Sequence, residues 1–170
     1  DRVQQAAYSL LNELQQQETH LRIARHLANT RSGTHFQEQL FIIAQQFSAG
    51  LALILKAADP SDNRYLADLF LQTASKAITA AAYSSAQLFA SNAQLLLNNE
   101  NAWEDDYALR LRLNYTQAQA AFLSGDLAQS EAIILATVPR LHSAIEQAEF
   151  KNLLIIGKTL TADYQGAIEA

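Results

Sequence analysis

The chain has 170 residues, 49% of them hydrophobic, and a formal net charge of −5. The negative balance argues against nucleic acid and against an anionic membrane surface as partners, and the absence of cysteine excludes a disulfide scaffold and a thiolate metal site. Because only five glycines and two prolines stand beside abundant alanine, we predict an all-α protein of one domain, or of one domain with a fragment of another. The longest apolar runs, such as residues 51–55, are too short to span a bilayer.

The N-terminal region predicts helices over residues 2–11 and 13–28, with Asn12 as the cap of the second. The predicted inward positions are Val3, Ala6, Ala7, Leu10 and Leu11 in the first helix, and Leu14, Leu21, Ala24 and Leu27 in the second. After a turn over residues 30–33, Thr34 opens a third helix with Gln37 as its capping-box partner. This helix ends or bends at Gly50, and residues 51–55 form one further apolar turn.

Residues 58–62 are the clearest loop in the chain, and they start a fourth helix. Its predicted apolar face is Tyr65, Leu66, Leu69, Phe70, Thr73, Ala77 and Ile78. A fifth helix over residues 83–97 carries its inward side chains at Ala86, Phe89, Ala93 and Leu96. A polar connector over residues 98–101 then leads to Trp103.

Residues 107–138 predict a helical hairpin. Two apolar stripes run through its first helix: Tyr107, Leu111, Tyr115, Ala118 and Phe122, and Leu109, Leu113, Thr116, Ala120 and Leu123. Two stripes indicate a helix that is covered on more than one side. The positions left for solvent are Arg110, Asn114, Gln117 and Ser124, with Arg112 and Gln119. Gly125 is predicted to close the first helix in the left-handed conformation, Asp126 to cap the second, and Pro139 to stop it.

An eighth helix is predicted over residues 143–161, with inward positions Ile145, Ala148, Leu153, Leu154, Ile156, Gly157 and Leu160. A last helix begins at Tyr164. A large residue followed three positions later by a small one recurs at Tyr83–Ala86, Leu127–Ser130 and Tyr164–Ala167, with spacings of 44 and 37 residues. This recurrence indicates helical repeats, longer and less regular than those of an ideal tetratricopeptide array.

The sequence predicts no catalytic, cofactor-binding or metal-binding residue. Three acids at residues 104–106 suit a helix start better than a cation site. His20 and His26 are six positions apart and so do not share a helix face as a metal pair does, and His35 and His142 stand at helix starts. Trp103, Tyr107, Tyr115 and Phe122 lie at helical spacing, which favours a core over a stacking platform. The five glycines are isolated, so no phosphate-binding loop is present.

Several segments, in order along the whole chain, resemble a known class of large multidomain signalling ATPases. The most specific are residues 102–109 (Ala-Trp-Glu-Asp-Asp-Tyr-Ala-Leu) and 121–126 (Ala-Phe-Leu-Ser-Gly-Asp), supported by residues 1–10, 20–27, 41–50 and 66–86. Members of this class place a predicted AAA-type (STAND) ATPase before this region, often after a serine/threonine kinase-like domain. Sensor domains with histidine kinase or diguanylate cyclase output follow it. The resemblance implies that residues 1–28 end the ATPase helical arm and that residues 34–170 form a tetratricopeptide-like array.

We therefore predict a right-handed superhelix of antiparallel helix pairs, cytoplasmic and non-catalytic, that needs no cofactor. Its expected partner is a protein or peptide, or the parent's own ATPase, bound in a groove through Arg110, Arg112, Asn114 and Gln117, while Gly125 and Asp126 are structural. A small-molecule-sensing regulatory domain and a rigid spacer without ligand are the alternatives. Since the chain starts without methionine and stops within a helix, we expect a piece of a longer polypeptide, whose uncovered ends self-associate, for example on the face of residues 154–160.

Overall fold

The computed structural model describes residues 11–30, 34–57, 59–98 and 102–169, and within these it is all-α, without a strand. The helices are α1 Glu13–Thr30, α2 Thr34–Ala49, α3 Leu51–Ala57, α4 Pro60–Thr79, α5 Tyr83–Leu96, α6 Ala102–Asp105, α7 Tyr107–Leu123, α8 Leu127–Thr137, α9 Ala144–Leu160 and α10 Tyr164–Glu169, with a 3-10 turn at Val138–Arg140. This confirms the predicted fold class at the level of helices. The predicted helix over residues 2–11, with Val3 and Ala7, lies almost wholly outside the described residues, as does the turn after Thr30.

Helix length and apolarity bear on membrane insertion. Within the described ranges, no single helix is long and apolar enough to cross a bilayer. One pair of helices, Glu38–Ala49 and Leu51–Ala57, has that length and apolarity when taken together, but the two are bent by 65° relative to each other.

Helix α1 begins at the predicted cap. The Asn12 side chain accepts a hydrogen bond from the backbone N–H of Gln15 at 2.9 Å, and the Gln15 side chain accepts one from Asn12 N–H at 3.0 Å. This reciprocal pair satisfies two N–H groups that the helix leaves open. Leu21 and Ala24 are buried as predicted, but Leu14 is 53% exposed. The prediction for Leu14 was wrong because, among the described residues, α1 contributes to the core from Leu21 onward.

Gly50 separates α2 from α3, and the chain bends by 65° there, as predicted. A Cβ atom at this position would overlap the side chain of Leu21 and would approach the carbonyl oxygen of Gln17 to 3.1 Å. Because Gly50 has no side chain, α1 can pack closely against the bend between α2 and α3.

Helices α4 and α5 form the central part of the first core. Asp59 caps α4 by accepting from Ser61 N–H at 3.0 Å, and Pro60 follows in the first turn, where its missing N–H costs nothing. The rings of Phe70 and Phe89 stack with centroids 6.0 Å apart. Tyr65 is 51% exposed, against the prediction, because it lies at an open cleft between α4 and α7.

Three helix C-termini share one hydrogen-bond pattern. After α4 the N–H of Ala82 reaches the carbonyl of Ala77 at 2.8 Å, after α7 that of Asp126 reaches Ala121 at 3.0 Å, and after α9 that of Asp163 reaches Lys158 at 2.9 Å. The residue before each donor has positive φ: Ala81 at 55°, Gly125 at 88° and Ala162 at 59°. These are Schellman turns, which confirms the prediction for Gly125. Asp126 also caps α8, accepting from Gln129 N–H at 3.0 Å.

Helix α7 lies between two cores, as its two stripes predicted. The first core takes Leu109 and Leu113 from α7 and otherwise comes from α1 to α5. The second is built on Ala118 together with α8, α9 and Leu141. A third, small cluster of Ala77, Ala86 and Ala120 marks where α4, α5 and α7 approach closely, and it confirms the small-residue role predicted for Ala86.

On α7 and α9, part of the predicted division between buried and exposed positions was wrong. Asn114, expected in solvent, is 9% exposed. On α9, Leu153 and Leu154 are buried as predicted and Phe150 is buried as well, while Ile145, Ala148, Ile156 and Leu160, which were predicted inward, are exposed. The reason is that α9 carries apolar side chains on more than one face, so its hydrophobic pattern does not fix which face turns inward. On α10, Tyr164 is 64% and Ile168 81% exposed.

Candidate binding groove

A groove runs along the N-terminal halves of α4 and α7 and consists of two neighbouring clefts. The larger has a volume of about 530 Å³. Its walls come from the end of α3, the start of α4, the end of α5 and the junction of α6 with α7. The residues that matter for its chemistry are Asn63, Arg64, Asp105, Asp106 and Arg110, and leucines line much of the remainder. The smaller cleft has a volume of about 440 Å³ and lies further along α4 and α7.

An ion pair stands between the two clefts. Arg64 Nη2 lies 2.8 Å from Asp106 Oδ2, and both residues line both clefts. Asp106 is held in place because its other oxygen caps α7, accepting from Leu109 N–H at 3.2 Å. The pair therefore bridges the start of α4 and the start of α7, with the Arg64 side chain 69% exposed to solvent.

Arg110, which lines the larger cleft, is half-buried. Its Nε and Nη1 atoms are buried and have no hydrogen-bond partner. Burial lowers the pKa of Arg110, and the positive charge of Arg140 lowers it further, yet a guanidinium keeps its proton in any protein environment. The wall of the cleft therefore includes a half-buried cation that lies near a second arginine, Arg140.

Asn63 lines the same cleft and has an unpaired acceptor. Its Oδ1 atom is buried and without a partner, and in the described part of the chain only this atom and the two nitrogens of Arg110 are buried side-chain polar atoms with no partner. Folded proteins pair nearly all such atoms, so these two residues set this wall of the cleft apart from the rest of the described chain.

The charges at the smaller cleft are paired within the protein. Arg112 forms an ion pair with Asp68, and Gln72 donates to the other carboxylate oxygen of Asp68 at 2.6 Å. Both Arg112 and Asp68 remain partly exposed. The charged side chains at this cleft therefore balance each other without a ligand.

The four predicted groove residues fall into two groups. Arg110 and Arg112 line the larger and the smaller cleft, respectively, whereas Asn114 is buried and Gln117 lies outside both clefts. Asn63 was not predicted as a groove residue, because its place in the same cleft as Arg110 depends on how α4 packs against α7, 47 residues further along the chain.

The other residues considered for chemistry have structural contacts. Trp103, Tyr115 and Phe122 pack on the second core, as predicted. His142 stacks on Tyr107 at 4.0 Å, and Nδ1 of His20 lies 2.6 Å from the side-chain oxygen of Gln46. His35 lies among residues whose side chains are not described. Across the described ranges, no three histidine, aspartate or glutamate side chains are placed to hold a metal ion.

The chain was compared with protein-family models, with curated proteins and with solved structures, and none of them matches.

Proposed function

We propose that the chain is a non-catalytic helical module that binds a polypeptide segment in the groove between α4 and α7. The segment comes from a partner protein or from a neighbouring domain of the same polypeptide. The observation that carries the proposal is the larger cleft, about 530 Å³, in which polar side chains such as Asn63 and Arg110 lie beside leucines. A polypeptide segment offers backbone donors and acceptors to the polar side chains, and apolar side chains to the leucines.

The finer architecture that we propose is a tetratricopeptide-like superhelix of right-handed sense. Its support is the succession of hairpins α4–α5, α7–α8 and α9–α10, in which each pair contacts the next. The three Schellman turns repeat at intervals of 44 and 37 residues, which are the intervals of the sequence repeat. In such an array an occupied groove biases the position of neighbouring domains. The resemblance to the cytoplasmic signalling ATPases implies that those domains are an ATPase and a sensor.

A small-molecule regulatory site is the second candidate. The larger cleft, at about 530 Å³, falls within the range of roughly 300–1,000 Å³ typical of small-ligand pockets, and its mixed polar and leucine lining suits a compact ligand. A rigid spacer without ligand has less support, since a spacer gains nothing from a buried cation that has no partner.

A peptide-display selection against the purified chain tests the proposal. We expect enriched peptides to bind the wild type and to lose at least tenfold in affinity for Arg110→Met, because a hydrogen bond to a charged group contributes about 1.5–3 kcal/mol. Arg25→Met, at an exposed position on α1, is the matched control and should bind like the wild type. Enriched peptides that bind Arg110→Met as tightly as the wild type, or a selection without binders, would contradict the groove as the binding site.

The non-catalytic part of the proposal has its own test. We expect the pure chain neither to bind nor to hydrolyse ATP, since its sequence contains no phosphate-cradling loop. ATP turnover that a single substitution in the chain abolishes would contradict this expectation.

A further inference from the structure

We infer that a second cavity, between α8 and α9, binds a compact arylalkylamine, with the aromatic ring inside the cavity and the ammonium group at Glu131. The cavity has a volume of about 320 Å³ and lies beside the C-terminal end of α7. It shares no lining residue with the two clefts of the groove between α4 and α7. Binding here is therefore independent of the proposed polypeptide-binding function.

The volume of the cavity sets the size of the ligand. An apolar cavity of about 150 Å³ holds a benzene molecule, so a cavity of about 320 Å³ has room for one ring and a short chain. The same volume lies at the lower end of the range of roughly 300–1,000 Å³ for small-ligand sites. A compound of that size fits, rather than a polypeptide segment.

The lining of the cavity suits an aromatic ring. Phe122 supplies a ring, and Leu127, Leu153 and Leu154 supply aliphatic surface. Phe122 and Leu127 are half-buried, so part of their surface is accessible to a ligand. Because Gly157 has no side chain, the space beside the Phe122 ring, where a Cβ atom would lie 3.7 Å from it, is left open. A ligand ring in this space removes apolar surface from water and adds a contact between two rings.

The charged groups at the edge of the cavity favour a cation. Lys158 Nζ lies 2.7 Å from Glu131 Oε1 and 3.2 Å from Asp163 Oδ2. The hydrogen bonds with Glu131 and then with Asp163 raise the pKa of Lys158, so its ammonium group is charged at neutral pH. Two carboxylates around one ammonium group leave one negative charge in excess, which attracts a monocation and repels an anion.

Glu131 is the carboxylate that can pair with the ammonium group of a ligand. It lines the cavity, and its side chain is 36% exposed. Its Oε1 atom pairs with Lys158, but a carboxylate has lone pairs on both oxygens and can accept further hydrogen bonds. Asp163 does not line the cavity. Its two oxygens are engaged by Lys158 and by the N–H of Gly166 at 3.0 Å.

The helix ends at the cavity agree with this preference. Gly157 and Thr161 belong to the C-terminal end of α9, where the carbonyl groups carry partial negative charge. Leu127 starts α8, whose N-terminal end carries partial positive charge, but the Asp126 carboxylate caps that end by accepting from Gln129 N–H at 3.0 Å. The helix dipoles therefore favour a cation at α9 and are compensated at α8.

Three aromatic probes of similar size, added to the full chain, test for this site. At neutral pH 2-phenylethylamine is a cation, 2-phenylethanol is neutral and phenylacetate is an anion. The readout is the backbone amide NMR signal of Gly157, a lining residue and one of five glycines in the chain. We expect a saturable shift with the amine and about two- to fivefold weaker binding of the alcohol, since an ion pair at a partly exposed carboxylate has a modest effect. Phenylacetate should bind more weakly than the alcohol.

Two variants separate the contribution of charge from that of the cavity. Glu131→Gln should remove the difference in affinity between amine and alcohol, whereas Glu149→Gln, at an exposed position of α9, is the matched control and should keep it. Gly157→Leu places a side chain in the cavity. It should abolish the increase in the thermal unfolding midpoint that 2-phenylethylamine produces in the wild type. If this variant does not fold, the comparison of Glu131→Gln with Glu149→Gln still decides the question.

Several outcomes would overturn the assignment. If amine and alcohol bind equally, or if Glu131→Gln leaves their difference unchanged, Glu131 is not the site of the ammonium group. If phenylacetate binds best, Lys158 selects the ligand and the expected charge is wrong. If no probe shifts the Gly157 signal, the cavity is not a ligand site. None of these results bears on the groove between α4 and α7, which is tested separately through Arg110→Met.

Discussion

Replacing Ala81 by glycine should stabilise the protein, although glycine is normally a destabilising substitution. Ala81 has φ of 55° in the turn after α4, and the left-handed region costs an L-residue about 1–2 kcal/mol. Glycine removes this strain but raises the conformational entropy of the unfolded chain, which costs about 0.5–1 kcal/mol. The difference is a gain of about 0.5–1 kcal/mol. For a chain of this length it raises the unfolding midpoint by about 1–4 °C.

The matched control is the neighbouring residue. Ala80 is also exposed, but its φ is −86°, so Ala80→Gly brings only the entropic cost and should lower the midpoint. Gly125 has φ of 88°, and nothing lies within 4 Å of an added Cβ atom. Gly125→Ala should therefore lower the midpoint by about as much as Ala81→Gly raises it, and Gly125→Val should lower the unfolding free energy by about 1 kcal/mol or more. Thermal unfolding followed by far-UV circular dichroism measures all four variants. If Ala81→Gly lowers the midpoint as much as Ala80→Gly does, the left-handed assignment at position 81 is wrong.

Three further predictions concern packing, pH and association. Gly50→Ala should destabilise by about 1–3 kcal/mol, since its Cβ atom forces Leu21 out of its place; a neutral result in urea unfolding would refute the close approach. The hydrogen bond from the Tyr107 hydroxyl is the main cause that lowers the pKa of Glu146. This carboxylate therefore stabilises the fold above its unfolded pKa of about 4.3, and the contribution is lost as the pH falls through the lower folded pKa. Tyr107→Phe should flatten the dependence of the unfolding free energy on pH in the acid range, and an unchanged slope would contradict this. With Leu160 70% exposed, light scattering should show association that grows with concentration and weakens in Leu160→Glu, whereas a monomer at every concentration would contradict it.

Local signals in the sequence predicted the helix boundaries well. Asn12, Asp59 and Asp126 act as caps within three residues of the groups that they bind, and Gly125 closes α7 through its own backbone conformation. Such features depend on neighbouring residues only, so a pattern of residue types is enough to find them. The same reasoning missed Ala81 and Ala162, because alanine gives no signal for a left-handed turn.

The binding groove depends on contacts between distant parts of the chain, and the sequence predicted it only in part. Arg110 and Arg112 were predicted because they lie on the rows of α7 that the apolar stripes leave for solvent, but the stripes do not show which neighbouring helix faces them. Asn63 and Arg64 lie in an ordinary polar first turn of α4, and nothing local marks them as part of a cleft. Asn114 was placed in solvent by its polar residue type, but burial depends on the neighbouring helices and not on residue type alone, and the side chain is 9% exposed.

Helix α7 belongs to both hydrophobic cores and also forms one wall of the groove. Opening of α9 and α10 therefore removes contacts of the second core alone, while α1 to α5 keep theirs, and amide hydrogens in the C-terminal helices should exchange with solvent before those of α4 and α5. A polypeptide segment bound across α4 and α7 restricts the motion of α7, the helix on which the second core is built. Its binding then slows exchange in α9, at a distance from the ligand, without a change in the average structure of either part.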